Sequence, residues 1–392
     1  MNAHSLPVAS TETRSRRLRL PRRRSLTSAL AALVVGLGGT SAAAMPGATH
    51  HGSFLDPLHK VSTIASTVPA NGDLNPYGTV VVPKSIGALH KNNVLVSNFN
   101  NAANEQGTGT TIVQVNPNGS VSQFARINPS RLPSPCTGGI GLTTALSILP
   151  GGWVVVGSLP TGDGDVANAE AGCLLVLDSH GTVRETFTGH GINGPWDMTA
   201  VSHGDRADLF VTNVLNGTVA GGGNVVNRGT VLRIALKLHG DQPPTREKTT
   251  KIGSGFAERT DPDALVVGPT GVGLGRDGTL YVADTVNSRI AAIPDALKRK
   301  TSAGTGRTVS AGGALNGPLG LAIAPNGNIL TVNGGDGNIV ETTPAGRQVA
   351  LRLLDSTGTP PGAGALFGLA VAPDRRSVYF VDDATNTLNL LH

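Results

Sequence analysis

Six short apolar runs recur along the chain, and each ends in a polar residue: Val94–Asn98 (VLVSN), Trp153–Ser158 (WVVVGS), Leu209–Asn213 (LFVTN), Leu280–Asp284 (LYVAD), Ile329–Asn333 (ILTVN) and Val378–Asp382 (VYFVD). They begin 59, 56, 71, 49 and 49 residues apart. Brief runs rich in β-branched and aromatic residues, bounded by turn residues, predict strands. The pattern is clearest in Pro269–Ile293. Val272–Leu274 is a first strand, Asp277-Gly278 a hairpin turn, Leu280–Ala283 a second strand and Arg289–Ile293 a third. Three strands joined by tight turns form an antiparallel meander. A meander cannot bury its own faces, so it stacks against copies of itself.

The flanks repeat with the runs. A Gly/Pro element and an apolar strand come before: Gly194-Pro195-Trp196-Asp197, Gly268-Pro269-Thr270-Gly271, Gly317-Pro318-Leu319-Gly320 and Leu366-Phe367-Gly368. Asn or Asp turns follow, and these side chains tolerate left-handed backbone and cap their own turns. A third strand succeeds each turn, as at Thr111–Val115 and Asn338–Thr342, and a fourth in most repeats, as at Gln348–Leu353. The last repeat lacks a fourth strand because the chain ends at His392. His59–Thr67 is a spare strand that would supply it and remove an open sheet edge. Periods near 40–50 residues with four strands each predict an all-β, six-bladed β-propeller of four-stranded antiparallel blades, closed by an N-terminal strand in the last blade. The longer early periods predict insertions at Asn100–Gly109, Thr161–Gly172 and the charged stretch Gly240–Asp263.

Charge changes the picture at one end only. The 392 residues carry a net +5, but seven arginines and one acid (Glu12) fall in residues 1–44. The remainder holds 24 basic and 25 acidic residues, so nothing marks a nucleic-acid partner. The Arg-rich start, the apolar run Leu26–Gly39 and Ala42-Ala43-Ala44 have the form of a signal peptide with its cleavage site. Residues 1–44 are therefore expected to be a leader, 45–58 a linker and 59–392 the propeller, exported to the periplasm or beyond. Membrane contact is expected only through the leader during export. Arg23-Arg24 leaves the general and twin-arginine routes both open. In an oxidising compartment Cys136 and Cys173 are expected to form a disulfide; two separate buried thiols are the alternative.

In Gly268–Ile290 (GPTGVGLGRDGTLYVADTVNSRI), and less closely in Asn316–Val340 and Phe367–Leu388, the chain resembles the NHL-repeat β-propellers. More distantly it is similar to the gluconolactonase-like, senescence-marker six-bladed group. That second resemblance implies a Ca2+ ion at the channel mouth, held by a Glu on the first blade and Asn or Asp on others. Strand ends offer Asn98, Asn213, Asp284, Asn333 and Asp382, and a strand start offers Asp197, with Trp196 beside it as a surface for stacking on a ligand or as a core residue. The Glu is missing from Asp73–Gly78, and turn capping alone would produce the same Asn/Asp ring.

No other chemistry is marked. The histidines show no His-x-His or Glu-x-x-His spacing for zinc, and no G-x-S-x-G elbow occurs. Gly162–Asp165 lacks the acid series of an EF-hand loop. A strong scaffold without a catalytic constellation points to a non-catalytic module that binds a protein or small-molecule ligand. The alternatives are a calcium-dependent lactonase- or esterase-like hydrolase at the channel mouth, and an envelope assembly role.

Overall fold

A computed structural model describes residues 52–392; the expected leader lies outside the described residues. Six antiparallel sheets stand around one axis, and in five of them the inner strand comes first in the chain. The inner strands are Leu74–Val81, Leu142–Leu149, Gly194–His203, Pro269–Leu274, Pro318–Ile323 and Leu366–Val371. The architecture is thus the six-bladed propeller of four-stranded blades that the periodicity predicts, with a short fifth strand, Leu265–Val267, added to the third blade. In the sixth blade the outer position is taken by Val61–Ser66, with Val61 opposite Leu391 and Ser66 opposite Thr387.

Glycine sets how tightly the ring closes. A Cβ on Gly271 would collide with the Leu319 carbonyl, one on Gly320 with that of Phe367, and one on Gly368 with that of Tyr77. Each is the residue two after the Pro or Leu that opens its inner strand, where backbones of neighbouring blades meet. Hydroxyls staple two of the other seams: Ser97 Oγ donates to Thr143 O (2.7 Å) and Thr212 Oγ1 to Thr270 O (2.7 Å). Apolar side chains fill the wedges farther out, as where Leu95 and Ile112 of blade 1 meet Val154 and Leu175 of blade 2. Cys136 and Cys173 are bonded in that same cluster, with Cα atoms 5.6 Å apart.

Two readings change. Gly240–Asp263 is a hairpin turn followed by the 20-residue outer strand Gln242–Asp261, not an insertion. An outer strand turns one face to water, so its Lys, Thr and Arg content conceals it as a strand. Of the linker, residues 52–58 are docked. Glu341, fully buried, accepts hydrogen bonds from Ser53 Oγ (2.6 Å) and from the backbone N–H of Phe54 and Leu55 (2.9 Å each). Leu55 and Leu58 are buried against Leu330, Val332 and Phe380.

Candidate functional site

The two ends of the axial channel differ. One is closed by aromatic rings, three from the starts of inner strands and one, Phe99, from the second strand of blade 1. Tyr77 stacks on Phe367 (centroids 4.0 Å apart) and on Phe99 (4.6 Å), and Trp196 lies 6.4 Å from both Tyr77 and Phe367. A strap from blade 3 covers the rings. Its chain leaves the outer strand at Asp261, turns, and returns as Leu265–Val267. Trp196 Nε1 donates to Val266 O (3.0 Å) and the Tyr77 hydroxyl to Asp263 O (3.2 Å). Burial, then the carboxyls of Asp383, Asp261 and Asp263, push the Tyr77 phenol well above its ordinary value. Trp196 is therefore a packed core residue.

The other half of the channel is open. A cavity of about 330 Å3 runs along the later parts of the inner strands, and half-buried Val80, Ile148, Thr199, Leu274 and Ile323 surround its mouth. Its walls carry hydroxyls and one ionisable side chain, Asp197. In blade 3 Asp197 occupies the position that four of the other inner strands give to glycine: Gly78, Gly271, Gly320 and Gly368. Its carboxyl reaches blade 4. Oδ1 accepts from Met198 N (2.7 Å) and Oδ2 from Val272 N (3.0 Å). Burial raises its pKa from 3.8 to about 8 against the lowering effect of those two bonds. At neutral pH the group is largely a neutral acid. Thr79 Oγ1 and Thr144 Oγ1, both lining this cavity, are buried without a hydrogen-bond partner. Such groups are normally satisfied, so these hydroxyls are poised to meet a bound molecule. No motif singles out Thr79 and Thr144. The signal that could have found them is the alignment of the strand starts, in which Thr79 directly follows the glycine of blade 1 and Thr144 fills the glycine position of blade 2.

The remaining five expected site residues stand one strand away from the axis. Asp284, Asn333 and Asp382 each pair with the residue that opens an inner strand, and Asn213 and Asn98 pair with Pro195 and Pro76 near the start of theirs. Their side chains bond to groups around the strand ends, and Asn98 Oδ1 is buried without a partner. Asn98 Nδ2 donates to Thr67 O (3.0 Å), and Asn213 Oδ1 accepts from Asn193 N (3.2 Å). Asn333 Oδ1 accepts from Asn316 N (3.1 Å) and its Nδ2 donates to Ala314 O (2.8 Å). Asp284 pairs with Arg289 (2.7 Å), and Asp382 accepts from Thr385 N (3.0 Å) while burial raises its pKa. The structure does not bring the five together. At the level of the channel where the gluconolactonase-like resemblance implies a cation, the axis holds Tyr77, Trp196 and Phe367. A hard cation takes oxygen ligands, so the residues present on the axis do not fit that ion. Among the described residues no three His, Cys, Asp or Glu side chains converge as metal ligands.

No protein-family model matches the chain, and no curated protein matches it in sequence. Solved structures do match. A Thermus thermophilus protein assigned as an oxidoreductase (glucose dehydrogenase) is 13% identical with a TM-score of 0.53, over 86% of this chain and all of that one. A gluconolactonase from Xanthomonas campestris is 13% identical with a TM-score of 0.52, over 86% of this chain and 90% of its own. The calcium-binding protein regucalcin from Agrobacterium tumefaciens is 13% identical with a TM-score of 0.51, over 84% and 93%. At such identity the likeness is one of fold: this chain shares the six-bladed propeller of the gluconolactonase and regucalcin type.

Proposed function

We propose that the protein is an exported propeller that binds a small polar molecule in the open half of its channel without transforming it. The observation that carries this reading is Asp197, a carboxyl in a glycine position, beside two buried hydroxyls without partners. Ligand pockets of roughly 300–1,000 Å3 with a few convergent polar groups are the usual sites of small-molecule recognition, and this cavity is at the small end. Its hydroxyls and neutral acid can donate and accept, which suits a polyol, a sugar lactone or an amine. No nucleophile–base pair lines it. The Cys136–Cys173 bond supports an oxidising compartment, as export requires.

The test is equilibrium binding by calorimetry and ligand-observed NMR against polyols, sugar lactones and amines. Saturable binding that weakens at least tenfold in Thr144→Val and in Asp197→Gly supports the reading. Binding unchanged in both variants refutes it. A second reading, lactone hydrolysis, is favoured by the shared fold with a gluconolactonase and by a carboxyl that keeps its proton at neutral pH and so could protonate a leaving alkoxide. Turnover of an aldonolactone that is lost in Asp197→Asn would put hydrolysis in place of binding.

A further inference from the structure

A second cavity, of about 420 Å3, lies off the axis on the plugged side. It is bounded by blade 1, blade 6 and the strap. Asn100 closes the second strand of blade 1 and is 1% exposed. Its Nδ2 donates to Asn104 O (3.3 Å) and Asn104 Oδ1 (2.8 Å). Two acceptors on the nitrogen fix which way the amide faces, and Oδ1 is left buried without a partner. Gln106 repeats the arrangement. Its Nε2 donates to Pro262 O in the strap (2.5 Å), and its Oε1 is buried without a partner. From blade 6, Asp383 Oδ1 is also buried and unpartnered, while the Asp383 N–H is anchored on Ala365 O (2.7 Å). Asp263 of the strap adds a carboxyl at the rim.

All four residues line one cavity, and no Lys, Arg or His does. The space therefore gathers acceptors and offers them no charged donor. An anion is repelled there. A hard divalent cation is the complementary ligand, because it binds carboxylate and amide oxygens together. The four groups come from four separate segments: a strand end, the loop after it, the strap and a blade-6 turn. Ca2+ accepts six to eight oxygens in adaptable geometry, whereas Mg2+ demands a tight octahedron. We propose that Asn100 Oδ1, Gln106 Oε1 and the carboxylates of Asp383 and Asp263 form a calcium site that ties the strap to blades 1 and 6. The two carboxylates balance the charge of the ion. The site shares no residue with the open channel cavity and does not depend on what that cavity binds.

Calcium titration of the chelator-treated protein tests this, by calorimetry and by thermal unfolding. One ion per chain is expected to bind, at least tenfold more tightly than Mg2+, with a rise in melting temperature. Asp383→Asn and Asp263→Asn should each weaken binding tenfold or more. Asp263 is exposed, so its variant leaves folding intact and keeps the test decisive should Asp383→Asn unfold. Asp197→Gly should bind calcium as the parent does. Absence of calcium binding at millimolar concentration overturns the proposal, as does binding that survives in both carboxylate variants. Stabilisation by guanidinium or lysine methyl ester without any by calcium also overturns it and makes the cavity a receptor for a cationic side chain.

Discussion

Asp197→Asn gives the sharpest test of the channel's electrostatics. The carboxyl titrates near 3.8 when exposed and at about 8 in the folded protein. The folded state thus holds a proton that the unfolded state has released between those values. Its pKa is raised, so the associated stability is fully present below about pH 4 and is lost as pH climbs through 8. At about 1.4 kcal/mol per pH step of one, the loss from pH 4 to pH 8 is on the order of 5 kcal/mol. Water entering the open half of the channel screens the charge and makes this a ceiling. The substituted amide cannot ionise, which removes the slope. It accepts only one of the two N–H groups now bonded to the carboxyl, from Met198 and Val272. That costs about 1–2 kcal/mol at every pH. The parent is therefore more stable at pH 4, the curves cross at about pH 5, and the variant is more stable at pH 8. Urea unfolding from pH 4 to 8.5, followed by tryptophan fluorescence, measures both. Glu258 and Asp383, each raised to about 7 chiefly by burial, tilt both curves alike and cancel in the difference. Parallel curves would show that Asp197 is ionised and hydrated in the folded protein, and the reasoning would be wrong.

Glu341 behaves in the opposite sense. Burial alone would raise its pKa, but hydrogen bonds from Ser53, Asn328, Phe54 and Asn326 outweigh it and hold the carboxylate below its ordinary range. Glu341→Gln should cost about 3 kcal/mol at pH 7 by facing an amide NH2 toward donors, and the deficit should shrink below pH 4; release of residues 52–58 would be read as new proteolysis before Val61. Gly320→Ala forces a Cβ into the Phe367 carbonyl and should cost about 3 kcal/mol or more in a urea titration. Gly278→Ala, with open space but φ of +79°, should cost about 1 kcal/mol. Cys136→Ser with Cys173→Ser opens a bond spanning 37 residues and should lower stability by about 4 kcal/mol; equal urea midpoints with and without reductant in the parent would contradict this.

The strands were legible because every blade must bury both faces of its middle strands. That requirement writes the same apolar run six times, as in LYVAD and VYFVD. Outer strands carry no such constraint, which is why Gln242–Asp261 read as an insertion. Asn and Asp at the second-strand ends were visible, but a turn cap and a cation ligand use the same side chains, and only the partners at Asn213 and Asn333 separate the two. The aromatic plug was hidden differently. Tyr77, Trp196 and Phe367 occupy the same step of three inner strands, 119 and 171 residues apart along the chain, so only the ring geometry makes them neighbours. Ala264–Val267 was apolar in plain view, yet nothing local says which surface it covers.

The docking of Val61–Ser66 beside Thr387–Leu391 has a consequence for how the molecule is born. Among the described residues, one of the first strands to be synthesised finds its partner only after the last has emerged. Until then five sheets can assemble, while the sixth waits with two bare edges, one at each terminus. The contact joins residues more than 300 positions apart, and such distant pairings are the slow ones. Closure therefore acts as a proofreading step: a chain that stops short of Thr387 has no partner for its own beginning and is left sticky at both ends.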